Sequence, residues 1–489
     1  MKPSISLTLA EQKLRKLLLD VADYIGRQPE CSKPELRITG GWVRDRLLGI
    51  ESKDIDIGIS SMTGFRFATL MQDYLKSDGQ TQYDKDIVGH LAKIEANPEK
   101  SKHLETVTTN ILGLDIDLVN LRKESYTEDS RNPIMEFGSP EEDALRRDST
   151  VNALFYNLTN GEVEDFTGKG LDDMRRKIIR TPLAPYQTFK DDPLRILRCI
   201  RFASKLDYRI DEAAKKSMGD ESIKEALKKK ISRERVGIEF EKMVRGPDPC
   251  GALNLIDELN LYNTIFADPT QNENIICSTE NWSNAYSTLN NIGATTFESS
   301  AQTVKLYLLG NKEDSFLAWY LCSLVPWAKV PTPKPKNPKA KPLPPFAATV
   351  SREGLRSTTK VMNVIKDAVI RMKEIQSFAQ QFTDEALSLD GSSMERKLEK
   401  VLVNLGSLID IYAAFLTKLS KLDLLEAYAI KPIIDGNQIT IALRQKHGPW
   451  MTRALEVVME WQLEHPQNVQ KEDAIAQLVR RKGDFLPPS

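Results

Sequence analysis

Apolar residues recur along this chain in two rhythms. Between 10 and 25, Leu14, Leu17, Leu18, Val21 and Ile25 fall at three- and four-residue spacing, which marks one face of an α-helix. Such a face would also suit a transit peptide, but Glu11, Asp20 and Asp23 break the acid-poor pattern of those leaders, so a helix packed on a core is expected. Further on the rhythm shortens to two. Leu36-Arg37-Ile38-Thr39 predicts a strand that stops at Gly40-Gly41. Asp54-Ile55-Asp56-Ile57-Gly58-Ile59 alternates polar and apolar, as a half-buried strand does. Two strand-like runs lie between Thr106 and Leu121 around a turn at Leu112-Gly113-Leu114. A short one at Val163-Glu164-Asp165-Phe166 precedes a glycine-containing turn. From about 183 onward the strand rhythm fades and long helical patterns take over, with turns near Pro247 and Pro249. Pro331 to Pro345 is rich in Pro and Lys and reads as a solvated, extended linker. The pattern predicts an α/β or α+β head followed by a helical remainder.

Length and charge narrow the picture. The 489 residues suffice for roughly three or four domains or lobes. At 40% hydrophobic and 28% charged, the chain has enough apolar material for a sizeable core. The formal net charge is −1, so any nucleic-acid surface must come from local clustering of cations. Five cysteines, Cys31, Cys199, Cys250, Cys277 and Cys322, are widely spaced without a CxxC pair, which predicts reduced thiols and no zinc site. No apolar run approaches 18 residues and the start lacks a signal-peptide pattern, so no membrane partner is expected. His90, His103, His447 and His465 are scattered and suggest no catalytic or ligand pair.

The densest chemistry lies between 40 and 60. Asp54 and Asp56, two apart on a strand, share one face. Neighbouring carboxylates repel unless a cation lies between them, and hard oxygen donors at this spacing suit Mg²⁺. A two-metal site for phosphoryl transfer, with ions about 3.5–4 Å apart, needs a further carboxylate from a neighbouring strand. Asp115 and Asp117 both qualify, since periodicity puts them on the same face. Gly40 and Gly41 would let backbone N–H groups approach phosphate oxygens, and Arg44 could clamp a triphosphate or form a buried pair with Asp45.

Five stretches in fixed order make the sequence resemble the class II tRNA nucleotidyltransferase (CCA-adding) family of the polymerase β-like superfamily, most closely its fungal branch. The first is Gly40-Gly41-Trp42-Val43-Arg44-Asp45 followed by Asp54-Ile55-Asp56. The second is Arg146-Arg147-Asp148-Ser149-Thr150-Val151-Asn152-Ala153. The third runs from Asp165-Phe166-Thr167-Gly168 through Leu171-Asp172-Asp173. The fourth is Asp191-Asp192-Pro193-Leu194-Arg195 with Arg198 beyond, and the fifth is Ser232-Arg233-Glu234-Arg235. A weaker likeness covers Pro432 to Pro466, with Gly448-Pro449-Trp450 and Trp461-Gln462. Two departures stand out: Asp191 replaces the usual Glu, and the loop between the first two motifs is long and charged.

The resemblance implies an α+β fold. A nucleotidyltransferase head with a small mixed sheet spans 1–182, a helical neck 183–262, a helical body 263–380 and a helical tail 381–489. It implies addition of C, C and A to the 3′ end of tRNA from CTP and ATP with release of pyrophosphate. Mg²⁺ would be held by Asp54, Asp56 and, on the family pattern, Asp117 rather than Asp115. Gly40, Gly41, Arg44, Arg147, Asp148, Asn152, Asp192, Arg195 and Arg198 would bind the nucleotide, with Asn152 and Arg147 on ribose and triphosphate. Body and tail would grip the tRNA elbow and acceptor stem, and the enzyme would act as a monomer. Cytosol, nucleus and mitochondrion all stay open as compartments. Physics supports the assignment of base selection to Asp192 and Arg195. Cytosine and adenine both show an amine donor beside a ring-nitrogen acceptor, while uracil and guanine show the reverse. A carboxylate only accepts and a guanidinium only donates, so the pair complements C and A. On a helix the two residues are i and i+3 and share a face. Asp192 before Pro193 equally fits a helix cap, and Asp148 could cap a helix as well. Two other functions compete: a poly(A) polymerase on the same head, and a non-catalytic RNA-binding protein.

Overall fold

The computed structural model describes residues 3–29, 31–77, 79, 83, 92–94, 106–125, 134–270, 275, 277–296, 299–332, 342–388, 405–422, 424–425, 430–465 and 470–486. Most of the Pro/Lys-rich stretch, part of the charged loop after the first motif, and His90 and His103 lie outside these residues.

The chain begins with α1 (Leu9–Gly26), β1 (Leu36–Thr39), α2 (Gly41–Leu47), β2 (Asp54–Ile59) and α3 (Gly64–Lys76). Next come β3 (Ala92–Ile94), β4 (Thr106–Ile111), β5 (Leu114–Asn120), β6 (Arg122–Ser125), β7 (Ile134–Phe137) and α4 (Pro140–Leu145). Then follow β8 (Phe155–Asn157), β9 (Val163–Glu164), α5 (Gly170–Arg175), β10 (Ile178–Ile179), α6 (Pro185–Asp191) and α7 (Leu194–Leu206). A two-residue β11 (Arg209–Ile210) leads to α8 (Glu212–Met218), α9 (Glu221–Lys230), α10 (Arg233–Val244) and α11 (Pro249–Glu258). Helices make up the regular structure beyond, among the described residues.

The head is built on a seven-stranded mixed sheet in the order β3-β4-β5-β2-β1-β8-β9. β2 and β5 run parallel; the other neighbours are antiparallel. Alternation sorts the two faces. Ile55, Ile57 and Ile59 of β2 and Ile116 and Leu118 of β5 are buried in one core with Phe67 and Met71 of α3. α1 joins the same core through Leu14, Leu17, Leu18, Val21 and Ile25, so it is a packing helix as the pattern predicted. Burying each such side chain contributes roughly 2 kcal/mol. Thr8 and Glu11 close its first turn as a reciprocal capping box.

Two expectations change. The neck is not purely helical: β11 pairs in parallel with β10, an edge too short to leave a periodic signal. Pro249 does not mark a turn but opens α11, where the missing N–H costs nothing and Asp248 caps Gly251 N–H at 2.8 Å.

Contacts divide the chain into two compact units. The first holds 1–294 and 308–372, and the second 295–307 and 373–489. In the first, α7 and α10 pack together, and Arg233 at the start of α10 is buried. It donates to the carbonyls of Gly354 (2.7 Å), Thr264 (3.2 Å) and Ile265. One turn later Gly237 meets the Leu355 carbonyl so closely that an added Cβ would overlap it. In the second unit, Ile434, Ile439, Ala454, Val457, Val458, Ala474 and Leu478 form a separate small core. Gln462 ties the segment before it by accepting from Ile433 N–H and donating to the Lys431 carbonyl. No helix among the described residues is long and apolar enough to cross a membrane. All five cysteines are free thiols.

Candidate active site

The register of the parallel pair β2 and β5 fixes the carboxylates. Asp54 stands opposite Asp115 and Asp56 opposite Asp117, so all four project from the sheet face opposite the isoleucine core. Asp117 accepts a hydrogen bond from the Thr108 hydroxyl at 2.6 Å, and Asp115 one from the Asn110 amide at 2.9 Å. Asp115 is exposed, whereas Asp56 and Asp117 are half-buried. Burial raises Asp56 to about 6; Arg147 opposes the rise, and Asp117 and Asp54 add to it. Asp54 is raised too, by burial and then by Asp117 and Asp115. No three His, Cys, Asp or Glu side chains among the described residues converge on one point. The fit to a cation therefore rests on mutual repulsion and donor type. Burial and the neighbouring carboxylates raise Asp54 and Asp56, which a cation would relieve, and an oxygen-only donor set suits a hard divalent ion.

Beside this face opens a cleft of about 450 Å³. Its lining gathers Gly40, Gly41, Arg44, Arg147, Asp148, Asn152, Asp192, Arg195 and Arg198, every residue the sequence assigns to nucleotide binding, together with Asp56. Asp54 and Asp117 lie next to its floor on the strands rather than in the lining. Gly40 has φ +74°, and a Cβ there would come within 2.9 Å of an Arg147 guanidinium nitrogen, so the position requires glycine. Seven arginines line the cleft against four carboxylates, which leaves it cationic and suited to a polyphosphate.

These arginines are held in place. Arg44 is buried, pairs with Asp45 at 2.6 Å and donates to Asn152 Oδ1. Arg147 donates to Asp143 at 2.8 Å and to the Asn152 carbonyl at 3.2 Å. Asp148 caps no helix. Its carboxylate accepts from Arg198 at 2.6 Å and from Asn152 Nδ2 at 3.0 Å. Burial alone would raise Asp148, but Arg198 and the hydrogen bonds outweigh it and hold the group down to about 2.

Asp192 does two things at once. Oδ1 accepts the Leu194 N–H at 3.1 Å, which covers an orphan donor at the start of α7. Oδ2 lies 3.7 Å from an Arg235 guanidinium nitrogen. Arg195 is nearly buried and pairs with Glu124 of β6 at 3.4 Å. Asp191 stays out of the cleft lining and accepts from the Gln187 amide. The third motif contributes no lining residue either. Asp165 folds its own turn by accepting from Thr167 and Leu171 N–H, and Asp173 takes the Thr150 hydroxyl and Arg180. Sequence reasoning missed Arg122, Glu124, Arg146, Phe202 and Arg235, all in the lining. Arg235 lay in the fifth motif without a role. Phe202 continues the Arg195, Arg198 face of α7 at helical spacing and was findable. Nothing local marks Arg122 or Glu124.

Residues 36–180 match the poly A polymerase head domain family. The chain is 38% identical to nucleotidyltransferase lcsQ of Purpureocillium lilacinum, over 99% of this chain and 93% of that protein. It is 37% identical to the mitochondrial CCA tRNA nucleotidyltransferase of Saccharomyces cerevisiae, over 96% and 93%. In fold it resembles the Bacillus stearothermophilus CCA-adding enzyme solved in complex with CTP, with a TM-score of 0.60 at 20% identity over 98% of this chain and 99% of that one. The head match alone would fit several activities, but the likeness extends over nearly the whole chain: the chain belongs to the CCA tRNA nucleotidyltransferase family and is a nucleotidyltransferase.

Proposed function

We propose that this enzyme adds C, C and A in turn to the 3′ end of tRNA, using CTP and ATP and releasing pyrophosphate. The observation that carries the reading is the cationic cleft, which joins the head's Gly40-Gly41 turn and Asp56 to the neck's Asp192, Arg195 and Arg198. The tRNA 3′-hydroxyl oxygen bonds to the α-phosphorus, the bond from that phosphorus to the bridging oxygen breaks, and pyrophosphate leaves with that electron pair while the hydroxyl proton passes to water. Asp54, Asp56 and Asp117 would hold two Mg²⁺ ions, which when bound ease loss of the hydroxyl proton and screen the departing charge. Asp117 is preferred to Asp115 because it stands beside the more buried Asp56 and raises both Asp54 and Asp56.

The chain's own residues bind and orient. Arg44, Arg147 and Arg198 grip the triphosphate, Asn152 meets the ribose, and Asp148 positions Arg198 and Asn152 rather than touching substrate. Asp192 Oδ2 accepts the exocyclic amine of C or A and Arg195 donates to the ring nitrogen. A wrong base leaves both unpaired, which costs roughly 1–3 kcal/mol. Body and tail bind the tRNA by backbone and shape, a mode suited to duplex RNA. The chain works as a monomer.

The test offers each nucleotide alone, then CTP with ATP, to a tRNA ending at the discriminator base. Two C from CTP alone, then one A when both are present, is expected, with no addition by Asp56→Ala. Long A tails from ATP alone would make it a poly(A) polymerase, and tRNA binding without any addition would revive the binding-protein reading.

A further inference from the structure

Phe202 stands where head and neck meet the cleft. Its ring is nearly buried yet contributes to the lining. Three guanidiniums surround it: Arg201 at 4.2 Å, Arg44 at 5.1 Å and Arg198 at 5.7 Å from the ring centroid. Arg44 comes from α2 of the head, Arg198 and Arg201 from α7. Three like charges around one apolar group would repel without compensation. Carboxylates supply part of it, since Asp45 pairs with Arg44, Asp148 with Arg198 and Glu239 with Arg201. A carboxylate anchors one edge of a guanidinium but leaves its plane free to swing. A flat ring with a negative face restrains that plane and attracts the charge.

We propose that Phe202 is a positioning residue for nucleotide binding, whose ring holds Arg44 of the head and Arg198 of the neck side by side where the triphosphate binds. This rests on reading the cleft as the nucleotide site. The role is distinct from base reading, because the cations around the ring, Arg44, Arg198 and Arg201, are not those assigned to the base. Loss of the ring therefore weakens CTP and ATP alike, whereas loss of Asp192 blurs their preference over UTP and GTP. Phe202 also sits in the core, so a merely structural role predicts something else: any apolar side chain of similar volume would serve.

The experiment compares wild type with Phe202→Leu, Phe202→Tyr and a chain carrying 3,4,5-trifluorophenylalanine at 202. The fluorinated ring keeps the shape of Phe and loses its negative face, so it reports even if Phe202→Leu fails to fold. Equilibrium CTP and ATP affinity is measured by titration calorimetry, and kcat for addition to tRNA alongside. Phe202→Leu and the fluorinated ring are expected to weaken both nucleotides about tenfold. Phe202→Tyr should bind as wild type, kcat should move less than twofold in all three, and the CTP to UTP preference should not change. Wild-type affinity in the fluorinated chain overturns the proposal, as does a loss confined to kcat or to one nucleotide. Because binding is read directly, a wild type that holds CTP but adds nothing to tRNA would sink the proposed activity and still leave the Phe202 comparison decisive.

Discussion

Asp143 and Asp148 are the buried carboxylates on which the cleft's arginines depend. Asp143 accepts from both Arg146 and Arg147, at 2.6 and 2.8 Å. Burial would push it up, but the two guanidiniums prevail and hold it at about 2, as Arg198 does for Asp148. A carboxyl depressed in the folded state adds stability above its unfolded value near 3.8 and loses it as pH falls toward 2. Each is worth roughly 2 kcal/mol over that window. Urea unfolding between pH 4 and pH 2 should therefore show a steep fall, and Asp148→Asn should flatten it while lowering stability at pH 7. An unchanged slope in that variant would mean Asp148 is not depressed. None of this was legible in the sequence: Arg198 is fifty residues from Asp148, and local pattern allowed a helix cap just as well.

Strands were the most readable elements because polar and apolar positions alternate in Asp54–Ile57 and Leu114–Leu118. The same alternation left Asp115 and Asp117 equivalent. The pairing of β2 with β5, which sets Asp115 beside Asp54 and Asp117 beside Asp56, could not be read from it, because register is a long-range property. β10 and β11, two residues each, are too short for any rhythm to register. α10 illustrates a role that composition hides. Its motif turns Arg235 toward the cleft and Arg233 toward the body's carbonyls, and Gly237 lets the helix lie against Leu355. Gly237→Ala would normally favour a helix by up to about 1 kcal/mol. Here it forces backbone apart, so a net loss of about 3 kcal/mol is expected in thermal or denaturant unfolding. A neutral or stabilising result would show that α10 and the Leu355 turn can slide without cost.

For the molecule as a whole, a net charge of −1 gave no hint of a cleft with seven arginines. Averaging over 489 residues erases a local excess, and the segments that build the cleft, 39–56, 119–124, 146–152, 192–202 and 235, are far apart in sequence. Their order along the chain was readable, and so was the identity of nearly every lining residue in the motifs. What joins them was not, because it consists of pairs such as Arg198 with Asp148 and Arg44 with Asn152 that cross from one motif to another. All of these lie in the first compact unit, with head, neck and much of the body in one contact network.

The backbone amide of Leu194 has an effect reaching past the capping of a helix. It donates to Asp192 Oδ1, and only an oxygen can take that bond. In Asp192→Asn the side chain must turn its oxygen to the backbone and its NH₂ to the cleft. There, with Asp192 reading the base as proposed, it would meet the NH₂ of cytosine or adenine, hydrogen against hydrogen. Removal of the side chain leaves a gap that water fills, so the near-isosteric swap should do more harm than the deletion. Single-nucleotide incorporation is expected to rank Asp192→Asn below Asp192→Ala with CTP and above it with UTP. If the two variants behave alike, the amide is free to flip and the Leu194 bond does not set the polarity of the site.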